Sequence, residues 1–398
     1  MKKKILVVMM NLYNGGAEKS LINFFTELDS KKYDVDLLLF QKKGLFLKQV
    51  PSYINIIEQP KDLYLLYNTP SIKDFLDIKN VKLIFARYFF TALVNFKYKK
   101  YIPRVKRQIR WDKYYKNIIN QLDAKYDIVL SYLENEPMRY VIDKTTATKK
   151  IVWFHNDYKK LGLLKELDEE YYEKADKIVT ISEKCLNVLK DTFPKCKEKM
   201  LYIPNISSLT VIKKLAKEKQ KIKFDDNKFK IISIGRLSIE KGFDLAVEAA
   251  KILSEKHINY QWYVIGDGVM KKQIDNKIKE YNLVNKFCLI GVTDNPYTYI
   301  NNSDILVQTS RSEGKSMVID EAKILNKPFV VTKYPTVFDQ VSDDNSILVD
   351  INPESIADGI IELYNNKEKR NQIQNNLKKE KYSNEYEIKK YYKLFDEE

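Results

Sequence analysis

The sequence predicts an α/β protein made of two Rossmann-like, doubly wound domains in tandem, with a ligand cleft between them. Three observations predict it. Short, near-continuously apolar runs alternate with helical patterns along the chain, which is how parallel strands covered on both faces read. The alternation restarts once, beyond Pro204-Asn205, after a Lys-rich stretch without an apolar face that ends at Lys230. Finally, 398 residues are more than one hydrophobic core usually serves.

The elements follow in order. Strands are expected at Lys4–Met10, Val35–Phe40, Ile54–Ile57, Asp127–Ser131, Lys150–Phe154, Lys177–Ile181 and Lys199–Ile203. After the restart they are expected at Ile231–Ile234, Tyr260–Ile265, Phe287–Ile290, Ile305–Gln308, Pro328–Val331 and Ser346–Val349. Helical patterns cover Ala17–Leu28, Leu164–Ala175, Phe243–Glu255, Val269–Tyr281, Ser316–Leu325 and Pro353–Tyr364. The domains are therefore set at 1–205 and 206–375. A C-terminal helix, 376–398, carries Tyr382, Tyr386, Tyr391, Tyr392, Leu394 and Phe395 and is expected to pack back towards the N-terminal domain.

Composition narrows the function. A hydrophobic fraction of 44% and a charged fraction of 31% fit a folded globular chain. Cys185, Cys196 and Cys288 lack metal-ligand spacing, and only His155 and His257 could join them, so a structural zinc site is not expected. Reduced thiols suit a cytoplasmic protein. The Lys2–Lys4 start resembles a signal n-region, but its apolar run stops at Met10 and reads as a buried strand. No apolar run approaches the ~20 residues of a membrane span.

The net charge of +15 is uneven. Residues 1–200 hold 38 basic and 25 acidic side chains, while 201–398 hold 31 and 29. Lys82–Lys116 alone has eleven basic residues and one acid, Asp112. Such a segment fits a polyanionic neighbour or a solvated Lys-rich face.

In doubly wound sheets ligands sit outside the carboxyl ends of the strands. Gly15-Gly16-Ala17-Glu18 opens a helix after the first strand, where free N–H groups suit a phosphate; a plain turn would use the same glycines. Gly235-Arg236-Leu237-Ser238-Ile239-Glu240-Lys241-Gly242 places two cations in one strand-to-helix loop, enough to neutralise a diphosphate. Gly266-Asp267-Gly268 and Gly291-Val292-Thr293 end two further strands, and turn chemistry alone explains both.

Ser312-Glu313-Gly314-Lys315-Ser316-Met317-Val318-Ile319-Asp320-Glu321-Ala322 sets two carboxylates ~12 Å apart along a helix start. That is too far for an acid/base dyad on one bond. It suits a grip on two ends of one long ligand, with the N–H groups of Lys315, Ser316 and Met317 facing an anion between them. A helix-start acid beside an unrelated solvated acid has the same spacing.

Together these loops resemble the retaining GT-B glycosyltransferases with two glutamates separated by seven residues, glycosyltransferase family 4, group 1. The resemblance also runs through Ala175–Ser182 and Ile203-Pro204-Asn205, and its flavour is that of bacterial enzymes making capsule, cell-wall or lipopolysaccharide glycans. Lys315 stands where the family commonly has an aromatic residue. The resemblance implies that 1–205 binds the acceptor and 206–375 the nucleotide sugar. It assigns Arg236 and Lys241 to the donor diphosphate, Glu321 to the ribose, and Glu313 to the transferred sugar. Lys315, Ser316, Met317 and Val292 line the donor site. Gly15 and Gly16 approach the donor from the other domain, and His155, after the Lys150–Phe154 strand, lines the sugar pocket.

By the same resemblance no cofactor or metal is needed, because cations and helix N-termini stabilise the leaving diphosphate. The expected reaction transfers a hexose or N-acetylhexosamine, UDP-linked by family frequency, to a lipid-linked or growing glycan acceptor. A sugar-nucleotide epimerase on the same fold would need proton-transfer acids and a histidine that the loops do not display. A non-catalytic membrane-surface or nucleic-acid-binding protein would leave the donor loops unexplained, and no nucleic-acid motif accompanies the charge. The basic segment is instead expected to rest on an anionic membrane. If Ile102–Ile119 is helical, Lys106, Arg107, Arg110 and Lys113 form one arc, and Ile102, Val105, Ile109, Tyr115 and Ile119, with Trp111, form an apolar one.

Overall fold

The computed structural model describes residues 2–13, 15–380, 382 and 385–397; Asn14 of the first loop and the Tyr386 side chain lie outside the described residues. The chain divides into two compact units, Met1–Ile206 with Tyr386–Glu398, and Ser207–Glu385.

The first unit carries β1 (Lys3–Met9), β2 (Tyr33–Leu39), β3 (Asn55–Ile56), β4 (Lys125–Ser131), β5 (Thr146–Phe154), β6 (Lys177–Thr180) and β7 (Met200–Tyr202). They form one parallel sheet in the order β3-β2-β1-β4-β5-β6-β7. The chain moves outward from β1 to β3, then returns to lay β4 against β1, pairing Ile5 with Ile128 and Val8 with Ser131. That reversal makes the carboxyl ends of β1 and β4 a topological switch point. Burial on both faces explains the unbroken apolar run of β1: Ile5, Val7 and Met9 enter one core layer, and Leu6 and Val8 enter the other.

The second unit carries β8 (Phe229–Ile234), β9 (Tyr260–Ile265), β10 (Phe287–Gly291), β11 (Ile305–Gln308), β12 (Phe329–Thr332) and β13 (Ile347–Val349). Their parallel order is β10-β9-β8-β11-β12-β13. Ile231 pairs with Ile305 and Ile232 with Leu306, so the loops after β8 and β11 leave the sheet side by side at the switch point.

Two expectations on chain organisation change. The stretch after Asn205 contains a helix, Leu209–Leu215, capped by Ser208, and it buries Ile212. Ala216 and Phe224 are also buried, so a core face exists among the lysines. The C-terminal residues divide: helix Lys367–Lys379 belongs with the second unit, while helix Glu385–Asp396 belongs with the first. There Tyr391 stacks on Phe24 at 4.6 Å and on Trp153 at 5.0 Å, and Lys3 pairs with Asp396.

The expected apolar arc in 102–119 faces the core. The segment is a helix, Pro103–Arg110, followed by a wider π turn, Trp111–Tyr115, and a last helical turn, Lys116–Ile118. Val105, Ile109, Tyr115 and Ile119 are buried. Trp111 is fully enclosed and donates its indole N–H to Asp143 at 2.8 Å, so it cannot touch a membrane. Arg107 faces Glu136 at 3.2 Å, and Arg110 donates to Thr91. Lys113 is exposed and bonded to the Tyr98 hydroxyl, and Lys106 is half-buried.

Candidate active site

The site in the second unit grows from the loops after β8 and β11. The first loop leaves β8 through Gly235, turns at Ile239–Lys241, and starts helix Phe243–Glu255 at Gly242. Gly242 has φ +65, and a Cβ there would lie 2.0 Å from the Thr309 carbonyl. Glycine is required at this place. The contact pins the two loops together, and the Thr309 hydroxyl adds a bond to the Lys241 carbonyl at 3.0 Å. Arg311 completes the clamp. Its N–H donates to the Glu240 carbonyl, and its guanidinium grips Asp244 with two bonds of 2.8 and 2.6 Å.

Two further glycines do more than turn. A Cβ on Gly266 would meet the Gly235 carbonyl at 1.8 Å, and one on Gly268 would meet the Leu237 carbonyl at 2.4 Å. The loop after β9 thus lies directly against the cationic loop, a packing that turn chemistry alone did not predict.

The clamp brings Lys241 to Glu313. The Lys241 ammonium donates to Glu313 Oε1, which also accepts from Gln308 Nε2 at 2.9 Å and Ser310 Oγ at 2.7 Å. Three donors on one oxygen fix the carboxylate's position. An ammonium has three N–H groups, so Lys241 can hold Glu313 and still donate to an oxyanion. Lys315 pairs with Asp320 at 3.3 Å. Arg236 is exposed, and its guanidinium makes no hydrogen bond or ion pair among the described residues, which leaves it the ready cation for a diphosphate.

The start of helix Met317–Ile324 differs from expectation. Ser316 is buried as its N-cap and accepts from the Ile319 N–H. Its own N–H donates to Gln340 Oε1 at 2.7 Å, so it is already occupied and not offered to an anion. The N–H groups of Lys315 and Met317 have no such partner among the described residues. Glu321 is 0% exposed. It lies close enough for its charge, after burial itself, to push the Tyr297 hydroxyl pKa up. In this conformation Glu321 is a floor beneath the site, and Glu313 is the accessible carboxylate. Val292 is exposed after the Gly291 turn, with φ +77 at the glycine.

The remaining expected residues lie in the first unit. Gly15 caps helix Gly16–Glu27, and the Glu18 carboxylate folds over it so closely that a Cβ would lie 2.1 Å from Oε2. The anion position at that helix start is therefore filled by the chain's own carboxylate. His155 follows β5 and is buried, with its ring 4.8 Å from Tyr132 and 6.3 Å from Trp153. Neither ring nitrogen has a hydrogen-bond partner among the described residues. Burial pulls its pKa down to about 3, so the imidazole is neutral at physiological pH.

Gln308, Ser310, Arg311 and Gln340 were not singled out from the sequence. Three of them carried a signal: Gln308 is the polar residue that closes an apolar strand, and Ser310 and Arg311 follow in the loop at its carboxyl end. Gln340 is remote in sequence and gave none.

Known proteins resemble this chain in sequence and in fold. Residues 215–380 match the family model of the glycosyl transferases group 1. An uncharacterized glycosyltransferase of Methanocaldococcus jannaschii is 26% identical over 69% of this chain and 69% of its own length. The N-acetylgalactosamine-N,N'-diacetylbacillosaminyl-diphospho-undecaprenol 4-alpha-N-acetylgalactosaminyltransferase of Campylobacter jejuni is 27% identical, covering 89% of this chain and 87% of its own. Among solved structures, a mutant of S. aureus TarM in complex with fondaparinux, alpha-GlcNAc-glycerol and UDP superposes with a TM-score of 0.67 at 17% identity, covering 99% of this chain and 100% of that one. The fold is thus GT-B, and the second unit is a glycosyltransferase domain.

Proposed function

We propose that this glycosyltransferase is a retaining enzyme that moves a hexose or N-acetylhexosamine from a UDP-linked donor to a lipid-linked or growing glycan in bacterial surface polysaccharide synthesis. The observation that carries the donor half is the Lys241–Glu313 pair, fixed by Gln308 and Ser310 at the switch point beside the unpaired Arg236. Charge develops on the diphosphate as the anomeric carbon leaves it. Arg236 and Lys241 stand where fixed cations would stabilise that charge without a metal ion. Glu313 accepts from hydroxyls of the sugar being moved. Glu321, enclosed in this conformation, serves the ribose once nucleotide binding exposes it. UDP is favoured because the TarM neighbour binds it. The acceptor class follows the Campylobacter jejuni relative, whose name describes a diphospho-undecaprenol substrate.

A lipid-linked acceptor implies a membrane surface, and among the described residues no helix is long and apolar enough to cross one. Peripheral contact of a cytoplasmic enzyme is the reading supported by helix Ile78–Lys97. Ile78, Phe85, Phe89 and Phe96 are exposed at helical spacing on one face, Phe96 at 84%. Ile72, Phe75 and Leu76 precede them, also exposed, and Lys73, Lys79, Lys82 and Lys97 lie among them. Aromatic and basic side chains together suit the headgroup region of an anionic bilayer. This stripe replaces Trp111 as the apolar contact, and Lys106 and Lys113 remain as basic ones.

The test is release of nucleoside diphosphate from a panel of nucleotide sugars in EDTA, with undecaprenyl-diphosphate glycans as acceptors. UDP release stimulated by acceptor is expected. Activity that vanishes in EDTA and returns with a divalent ion would overturn the metal-independent mechanism.

A further inference from the structure

The loop that follows β12 packs on the segment carrying Glu313 and Ser316. The Thr336 hydroxyl donates to the Glu313 carbonyl at 3.0 Å. Gln340 makes three bonds with one amide. Its Oε1 accepts from the Ser316 N–H at 2.7 Å, and its Nε2 donates to the Ser316 carbonyl at 2.9 Å and to Asp320 Oδ1 at 3.1 Å. The loop is a firm base for these contacts, because Tyr334 and Val337 are fully enclosed.

A side-chain amide thus holds both the N–H and the C=O of one residue. The consequence follows from peptide planarity. The Ser316 carbonyl and the Met317 N–H belong to one trans peptide and point in opposite directions. With the carbonyl held by Gln340, the Met317 N–H points away from Gln340, and it has no partner among the described residues. The helix's own bond to that carbonyl, from the Asp320 N–H, is longer at 3.4 Å, so Gln340 is the tighter hold.

Ser316 is tied through its side chain as well. Its hydroxyl donates to Gln308 Oε1 at 3.0 Å, and Gln308 Nε2 holds Glu313. A chain of bonds therefore runs from Lys241 through Glu313, Gln308 and Ser316 to Gln340. The charged groups around Gln340 are Asp320, Lys315 paired with Asp320 at 3.3 Å, Glu313 on the segment that Thr336 holds, and exposed Asp339 beside it in the chain. Both ends of the amide are in use. A carboxylate in its place would set a second oxygen against the Ser316 carbonyl and Asp320, with no N–H to give either.

We propose that Gln340 is a positioning residue for sugar transfer: it sets the Ser316–Met317 peptide so that the Met317 N–H is presented to the donor diphosphate. The proposal rests on the donor reading above and adds to it a residue that acts through the Ser316 peptide.

The experiment titrates UDP calorimetrically into full-length wild type, Gln340→Glu and Gln340→Ala, with a melting temperature recorded for each. At about pH 8 the introduced carboxyl is ionised, and UDP affinity should fall about tenfold in both variants. At about pH 5 that carboxyl, raised by its neighbour Asp320, takes up a proton and can again donate to the Ser316 carbonyl. Gln340→Glu should then regain affinity relative to wild type at the same pH, and Gln340→Ala should not. The alanine variant reads the loss on its own if the glutamate variant fails to fold. Melting temperatures lowered in the variants with UDP affinity unchanged would overturn the proposal, as would a loss in Gln340→Glu that acid does not restore. A wild type that binds no UDP would overturn the donor reading and this role with it, whereas equal binding by wild type and both variants would overturn the role alone.

Discussion

The ammonium of Lys241 donates to Oε1 of Glu313, joining two loops 72 residues apart in sequence. The link exists because β8 and β11 are neighbours and because Gly242 lets the first loop touch the Thr309 carbonyl. Lys241 is thereby held beside the position expected for the transferred sugar, where it can act on the departing diphosphate.

Replacing Lys241 or Arg236 with Ala should lower turnover by about 100-fold, the scale of losing one preorganised charge on a developing anion. Stability should hardly move, because Arg236 is exposed and Gln308 and Ser310 still hold Glu313 in Lys241→Ala. Turnover and melting temperature measured side by side check this. Wild-type rates in both variants would remove the clamp.

Glu313 and Glu321 should separate in kinetics. Glu313→Gln should lower kcat with little change in UDP affinity. Glu321→Gln should weaken UDP binding by about tenfold, the loss of a charged acceptor for a ribose hydroxyl. Calorimetric titration of UDP distinguishes them, and unchanged affinity in Glu321→Gln would make that carboxylate a structural floor only.

The strands were legible because burial on both faces leaves long apolar runs, and all thirteen expected runs contain strands of the two sheets. The loops after β8 and β11, which the structure brings together, were legible as well, because glycines and cations are gathered in strand-to-helix loops. What could not be read was direction. The arc that carries Trp111 was expected to face a membrane, and Trp111 is instead enclosed in the core. The Ser316 N–H was expected to be free because its partner, Gln340, is 24 residues away.

His155 should make the protein acid-sensitive. Its folded pKa is about 3, below the ordinary 6.5, so the unfolded chain takes up a proton first as pH falls. Stability is therefore full above about pH 6.5 and declines below it, by up to about 1.4 kcal/mol per pH unit from this group. His155→Gln should flatten that part of the profile. Urea midpoints across the acid range check it, and identical profiles for variant and wild type would contradict it.

The exposed stripe on helix Ile78–Lys97 should bind anionic vesicles. Phe85→Asp with Phe89→Asp should abolish sedimentation with them, and reversing Lys106 and Lys113 should weaken it by about 1 kcal/mol per charge. Binding should fall with added salt. A wild type that ignores anionic vesicles at low salt would remove the membrane contact.

The central claim is that the second unit holds a nucleoside diphosphate at Arg236 and Lys241, and thermal denaturation with and without UDP tests it most directly. At about 100 times its dissociation constant UDP should stabilise the wild type by about 2.7 kcal/mol. That rise should shrink in Arg236→Ala and in Lys241→Ala. No stabilisation of wild type by UDP or any other nucleoside diphosphate, or an equal rise in both variants, would contradict the account.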